Sequence, residues 1–151
     1  MYNYVCGVGR GNAYHVEHVL ARNEESRGLF RDVSGKIDEA TFENERNRFG
    51  GLLLLKGQDN RSSGNEPYAD KVRTYTGSAP YLAQTLVPDF YKSNSAMTKL
   101  RLDSGLDFAP TPQFTRETLE QRSELLYRIS EQIWGNECRS SGVTVQDIHR
   151  G

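Results

Sequence analysis

The first apolar pattern in the chain is an alternation. Over Tyr14-His15-Val16-Glu17-His18-Val19-Leu20 the β-favouring residues predict a short strand. Successive strand side chains leave on opposite faces, so His15 and Glu17 share one face and Val16 and His18 the other. A bulge or the strand's end at Leu20-Ala21 could bring Glu17 and His18 toward one cleft. Glu24 to Phe30 fits one or two helical turns with Leu29 and Phe30 inward. Asp38 is placed to cap a helix through Phe42 to Arg48, with Phe42 and Phe49 on one apolar stripe and Glu39, Glu43 and Arg46 outside. Gly50-Gly51 ends it. The run Leu52 to Leu55 suits a buried strand, able to pair with the first as an irregular hairpin.

Lys56 to Asn65 reads as a polar loop. Asn65 is expected to cap the next helix, with Pro67 in its first turn. Tyr68, Val72 and Tyr75 recur at i, i+4 and i+7 and form its buried stripe, with Lys71 between them. Gly77 to Pro80 stops it. Tyr81 to Leu86 and Phe90 to Leu100 predict short helices separated by Pro88, and Ser104 to Pro112 a connection. The longest periodic segment runs from Thr115 to Trp134, with Leu119, Leu126, Ile129 and Ile133 on one face and Leu125 beside it. Thr115, Glu117 and Thr118 offer cap chemistry there, and Gly135 closes the end. Residues 136–151 read as a loose tail. Gly7-Val8-Gly9-Arg10-Gly11-Asn12 lacks a framing strand and helix, so it reads as a loop or turn and not as a nucleotide-binding loop. The expected fold is α+β and mainly helical: one domain with a core at about 13–76 and helical support at 80–135.

Composition narrows the picture modestly. A chain of 151 residues and 17.1 kDa buries a real core, and a mean hydropathy of -0.70 is polar without predicting disorder. The formal net charge of -1 gives no whole-chain nucleic-acid signature. Residues 61–101 are locally basic: Arg61, Lys71, Arg73, Lys92, Lys99 and Arg101 stand against Glu66, Asp70 and Asp89. Residues 102–151 are acidic by a similar margin. Cys6 and Cys138 stand too far apart for a CxxC pair, which suggests neither a disulfide framework nor a zinc site and points to a reducing, cytoplasmic compartment. No apolar run is long enough for a membrane span. The chain starts close to its most informative motif and shows no leader, as expected of a domain cut from a longer protein.

Phosphodiester hydrolysis needs a base for water, a metal ion on the phosphate and leaving oxygen, and a nearby cation. The chain offers Glu17-His18 on a strand, a second strand, Asn60 in a polar segment and Lys71 on a helix, in the order of an HNH, or ββα-metal, nuclease. His15-Val16-Glu17 also fits the H-x-E of a zinc deaminase, but no P-C-x-x-C accompanies it, and His15-Val16-Glu17-His18 is not the H-E-x-x-H of a zinc protease.

Glu17-His18-Val19-Leu20-Ala21 resembles a Glu-His-Ile-Leu-Pro string, and Phe49-Gly50-Gly51-Leu52-Leu53-Leu54-Leu55 a Leu-Gly-Asn-Leu-Thr-Leu-Leu string. Asn60, Gly64-Asn65, Tyr68, Lys71, Tyr75 and a late helix from Arg122 to Ile133-Trp134 follow in matching order. Over most of residues 14–135 the sequence resembles the C-terminal HNH nuclease domain of GmrSD-type modification-dependent restriction enzymes, found also in the effector of the Ssp phosphorothioation defence system. The resemblance implies a bacterial anti-phage DNA endonuclease that nicks or cleaves. It implies His18 as general base, Glu17 as a metal ligand or its organiser, Asn60 as second metal ligand and Lys71 at phosphate or holding the loop. Mg2+ or Mn2+ is the implied cofactor, since a carboxylate and an amide make a hard site. His15, Arg61, Asn65 and Arg73 are candidate contacts to the DNA backbone, and a ParB-like NTPase is the implied upstream partner. Two positions depart from the family: Ala21 replaces Pro, and Gly51 replaces the Asn that braces the metal loop, leaving the brace absent or supplied by a neighbour such as Asn47. That change also favours a rival, a degenerate HNH fold that binds DNA without cutting. A protein-interaction module leaves the Glu-His pair without a purpose.

Overall fold

Alternation at the start of the chain becomes a strand because one of its faces has a core to meet. The computed structural model describes residues 13–92 and 94–140, those at 61–63 and 136–140 by their backbone only. The glycine-rich lead-in through Asn12, Cys6 and the segment 141–151 lie outside the described residues, as do the side chains of Arg61 and Cys138. Strand β1 (Tyr14–His18) pairs antiparallel with β2 (Leu52–Lys56), His15 opposite Leu55 and Glu17 opposite Leu53. The pairing is regular, not an irregular hairpin, and Val19 N–H continues it to Gly51 C=O at 2.9 Å. Leu53 and Leu55 are buried while Val16 and Leu54, directly opposite each other, are 54% and 52% exposed. The leucine run is therefore a half-buried strand, not a fully buried one: alternation on an antiparallel ribbon gives it one wet face.

Helix α1 (Glu24–Gly28) is capped by Asn23 and α2 (Glu39–Arg46) by Asp38, whose side chain accepts from Thr41 N–H. Phe42 is buried, but Phe49 is 64% exposed, because the helix ends at Arg46 and Phe49 opens a 3-10 turn (Phe49–Gly51). Arg46, expected outside, is buried: its guanidinium lies over the Phe42 ring at 5.7 Å and Nε donates to Leu20 C=O at 3.2 Å. The 3-10 turn packs on the long helix so closely that a Cβ at Gly50 would stand 2.6 Å from Leu119 C=O, which is why glycine sits there.

The polar segment after β2 is not a loop. It forms α3 (Gly57–Ser63), which packs on both strands and on α4 (Tyr68–Gly77). Gln, Asp, Asn and Ser are poor helix formers, so tertiary packing supplies what propensity does not. Pro67, and not Asn65, is the residue before α4. The support layer is α5 (Tyr81–Gln84), α6 (Pro88–Lys92) and α7 (Ser95–Ser104), Pro88 opening a helix instead of breaking one. Helix α8 (Arg116–Ser140) is capped through Thr115 Oγ1 and Thr118 N–H at 3.2 Å. It runs straight through Gly135, since an interior glycine weakens a helix without forbidding it. Leu119 and Leu126 are buried, Leu125 and Ile129 pack against Met97, Leu106 and Phe108, and Ile133 is exposed. The main core gathers Val19, Leu20, Phe30, Phe42, Leu53, Leu55, Tyr68, Tyr75 and Leu119 beneath the hairpin, and a smaller cluster centres on Met97, Leu106 and Phe108.

Candidate functional site at the end of the hairpin

His18 closes β1 and sits half-buried at the edge of the outer face. Its Nε2 lies 2.9 Å from Asn47 Oδ1. The amide orientation is fixed by its other end, because Asn47 Nδ2 donates to Glu43 C=O at 2.6 Å. A carbonyl oxygen only accepts, so Nε2 carries the hydrogen and Nδ1 keeps the lone pair. Glu43 is anchored in turn by Arg22, which donates to both carboxylate oxygens at 2.8 and 2.9 Å and holds this carboxyl below the usual range. One imidazole nitrogen is thus held by Asn47.

Glu17 points the opposite way, into the core, and is 4% exposed. The Lys71 ammonium, 0% exposed, forms an ion pair with Glu17 Oε1 and donates to His18 C=O at 2.8 Å. Tyr75 Oη donates to the same Oε1 at 3.3 Å. Burial, and then the Glu17 charge, push the Tyr75 hydroxyl well above its ordinary range. Regular pairing through His18 keeps Glu17 and His18 on opposite faces, so no bulge turns them into one cleft. Lys71 meets no solvent; it ties the backbone under His18 to the core.

Asn60 is half-buried on α3, beside Asp59, whose Oδ2 accepts from Ser78 Oγ at 3.5 Å. His15 is exposed, and its ring lies against the start of α3: a Cβ on Gly57 would be 2.9 Å from His15 Nε2. Asn65 is exposed and its carbonyl accepts from Asn23 Nδ2 at 3.2 Å; Arg73 is exposed, 3.6 Å from Asp70. Much of the basic middle is answered locally, Lys92 by Asp89 and Lys99 by Asp103, both at 2.6 Å. A Cβ at Gly51 would meet Arg46 C=O at 3.0 Å and Leu119 Cδ1 at 3.2 Å, so a larger residue is crowded there, and the nearby Asn47 side chain meets the His18 ring.

The sequence model described as GmrSD restriction endonucleases, C-terminal domain, matches residues 3–129. The chain belongs to the GmrSD C-terminal domain family. Membership carries a restriction-endonuclease-type function with DNA as the substrate class. No curated protein and no solved structure matches the chain significantly. Among the described residues no helix is long and apolar enough to cross a membrane.

In this GmrSD C-terminal domain the Glu17 carboxylate does not fit the part of a free metal ligand. Its Oε1 already faces an ammonium, and a divalent cation beside Lys71 would meet like charge. Among the described residues no three His, Cys, Asp or Glu side chains converge as a metal site. The burial of Lys71 was readable from its spacing: it stands three residues after Tyr68 and four before Tyr75, in the middle of the apolar stripe. Asn47 carried no comparable signal, since its role depends on where α2 stops.

Proposed function

We propose that this domain hydrolyses phosphodiester bonds of DNA as an HNH-type endonuclease, with His18 as general base. The observation that carries the reading is the braced imidazole: Asn47 holds Nε2–H and leaves the Nδ1 lone pair at the end of the hairpin. Nδ1 takes a proton from water as that water's oxygen attacks phosphorus, and the P–O bond to the departing oxygen breaks, that oxygen keeping the electron pair and taking a proton from solvent. The Asn47 carbonyl keeps accepting from Nε2–H and so favours the imidazolium that forms. Lys71 and Glu17 are positioning residues. The ammonium fixes the His18 carbonyl from beneath, and Glu17 with Tyr75 fixes the ammonium.

The strand–strand–helix order of β1, β2 and α3 supports a ββα core. Mg2+ or Mn2+, when bound, would offset charge on the phosphate. With Glu17 committed to Lys71, Asn60, water and the substrate's own phosphate are left to hold it, so weak affinity for the protein alone is expected. His15, Asn65 and Arg73 are surface residues suited to backbone contacts, which carry no sequence information. Assembly with a ParB-like NTPase and a cytoplasmic place in bacterial defence follow from the same reading.

The test is nicking of supercoiled plasmid with Mg2+ or Mn2+. Wild type is expected to nick with little sequence preference, EDTA to abolish the reaction, and His18→Ala to slow it roughly a hundredfold to ten-thousandfold while circular dichroism stays unchanged. His15→Ala is expected to cost about tenfold or less. Retardation of DNA by wild type without any nicking would replace this reading with the degenerate fold that binds and does not cut.

A further inference from the structure

A second chemically unusual place lies between α8 and the connection 105–114. Arg122 is 6% exposed, and among the described residues no carboxylate pairs with it. Its NH2 group donates to Leu82 C=O at 3.1 Å, its NH1 group reaches Thr85 Oγ1 at only 3.5 Å, and Nε is buried with no hydrogen-bond partner. A buried cation without a counter-ion is costly, and native proteins rarely leave such a donor unanswered. Desolvation pushes the guanidinium down to about 10, and the titratable neighbours that oppose this are the phenols of Tyr68, Tyr91 and Tyr75 and no carboxylate.

Arg122 lines a cavity of about 410 Å3. That is within the range of small-molecule sites. Phe108, Pro110 and Leu125 supply apolar walls. The outer lining carries exposed Asp107 and Glu124 against exposed Arg128. Two acids at the opening oppose any anion and a polyanionic backbone most, while one buried guanidinium whose Nε has no partner suits a single planar or tetrahedral head group. The cavity is also tied to the core of the hairpin site: Thr111, part of its lining, accepts at its carbonyl from Tyr68 Oη at 2.6 Å.

We propose that this cavity binds a small oxyanion, a carboxylate or phosphate carried on an apolar or aromatic body, with its head group on Arg122. The head supplies the missing counter-charge, and the body replaces water against Phe108, Pro110 and Leu125.

The experiment titrates the intact 151-residue chain with phenyl phosphate, with inorganic phosphate as the bare head group and benzyl alcohol as the neutral body, by calorimetry and by thermal shift. Phenyl phosphate is expected to bind saturably and raise Tm, more weakly without the ring and not at all without the anion. Arg122→Met is expected to fold and to weaken phenyl phosphate at least about tenfold. Gln121→Trp, at an exposed lining position, leaves the cation in place and is expected to weaken binding by crowding the opening. No saturable binding by wild type, equal binding of benzyl alcohol, or binding unchanged in both variants would each overturn the proposal. Should Arg122→Met fail to fold, Gln121→Trp decides alone, with unchanged binding overturning the proposal and weakened binding supporting it. No cleavage is read, so the result stands apart from the nuclease reading.

Discussion

Lys71→Met keeps an unbranched side chain in the core and deletes only the ammonium. The variant loses the ion pair to Glu17 and the hydrogen bond to His18 C=O at 2.8 Å. Glu17, 4% exposed, keeps Tyr75 Oη at 3.3 Å against the same oxygen and loses its ion-pair partner. Removing one partner of a buried pair costs about 3–5 kcal/mol, because the abandoned charge stays desolvated. Whole domains hold only about 5–15 kcal/mol, so the loss is a large share of the total, equivalent to a Tm drop of roughly 6–20 °C for a chain of this size. Adding Glu17→Gln removes the abandoned charge and is expected to return about half of the loss or more. Urea unfolding followed by circular dichroism measures both terms. At a temperature where the single variant stays folded, kcat for nicking is expected to fall about tenfold with KM unchanged, since Lys71 touches no solvent and orients His18 from below. A loss under about 1 kcal/mol would refute the buried pair. A double variant as unstable as the single would show that Lys71 serves something other than Glu17.

Asn47→Ala removes one orienting bond from His18 and is expected to slow nicking about three- to tenfold without shifting the unfolding midpoint much, as measured by initial rates at saturating metal. Gly51→Asn places a Cβ 3.0 Å from Arg46 C=O and is expected to destabilise by roughly 1–3 kcal/mol in the same urea assay, instead of restoring a missing brace. Burial raises the hydroxyls of Tyr68 and Tyr75 above their ordinary range and Tyr91 to about 12. The folded state therefore holds more protons than the unfolded state above the ordinary phenol range, so stability falls as pH rises through it, and tyrosinate absorbance should show these three titrating late or only on unfolding.

The sharing of a strand face by His15 and Glu17, the Asp38 cap and the Tyr68–Tyr75 stripe were all readable, because each depends on neighbours within one or two turns. What the sequence hid depends on where elements meet. Gly57 to Ser63 has a loop's composition and folds as a helix only because two strands and α4 receive it. The spacing puts Phe49 on the α2 stripe, but the helix stops before it, and the residues that follow turn to approach α8 at Gly50. Asn47 reaches His18 from that same stop, across 29 residues of sequence, so no local pattern announces it. On the candidate site, the acid and the imidazole are visible in the sequence and their division of labour is not: the motif suggests Glu17 as a metal ligand or its organiser, and its ion-pair partner is Lys71.

Lys71 and Arg122 pose the same physical problem and meet different solutions. Lys71 stands three residues after Tyr68 and four before Tyr75; Arg122 stands three after Leu119 and four before Leu126. Each is a cation in the middle of an apolar helical stripe, where spacing alone forces burial. A buried cation needs a negative partner from another element. For Lys71 that partner is Glu17 on the inner face of the hairpin, and the pair fixes the backbone of His18. For Arg122 the opposing groups are the carbonyl of Leu82, the hydroxyl of Thr85 and neutral phenols, beside open space. Completion from within makes the first a device for holding the backbone of His18 still. Incompleteness makes the second the place where the proposed anion would supply charge, and the two substitutions to Met are expected to differ in size in the same urea assay: Lys71→Met strands a carboxylate, whereas Arg122→Met strands only the Leu82 carbonyl.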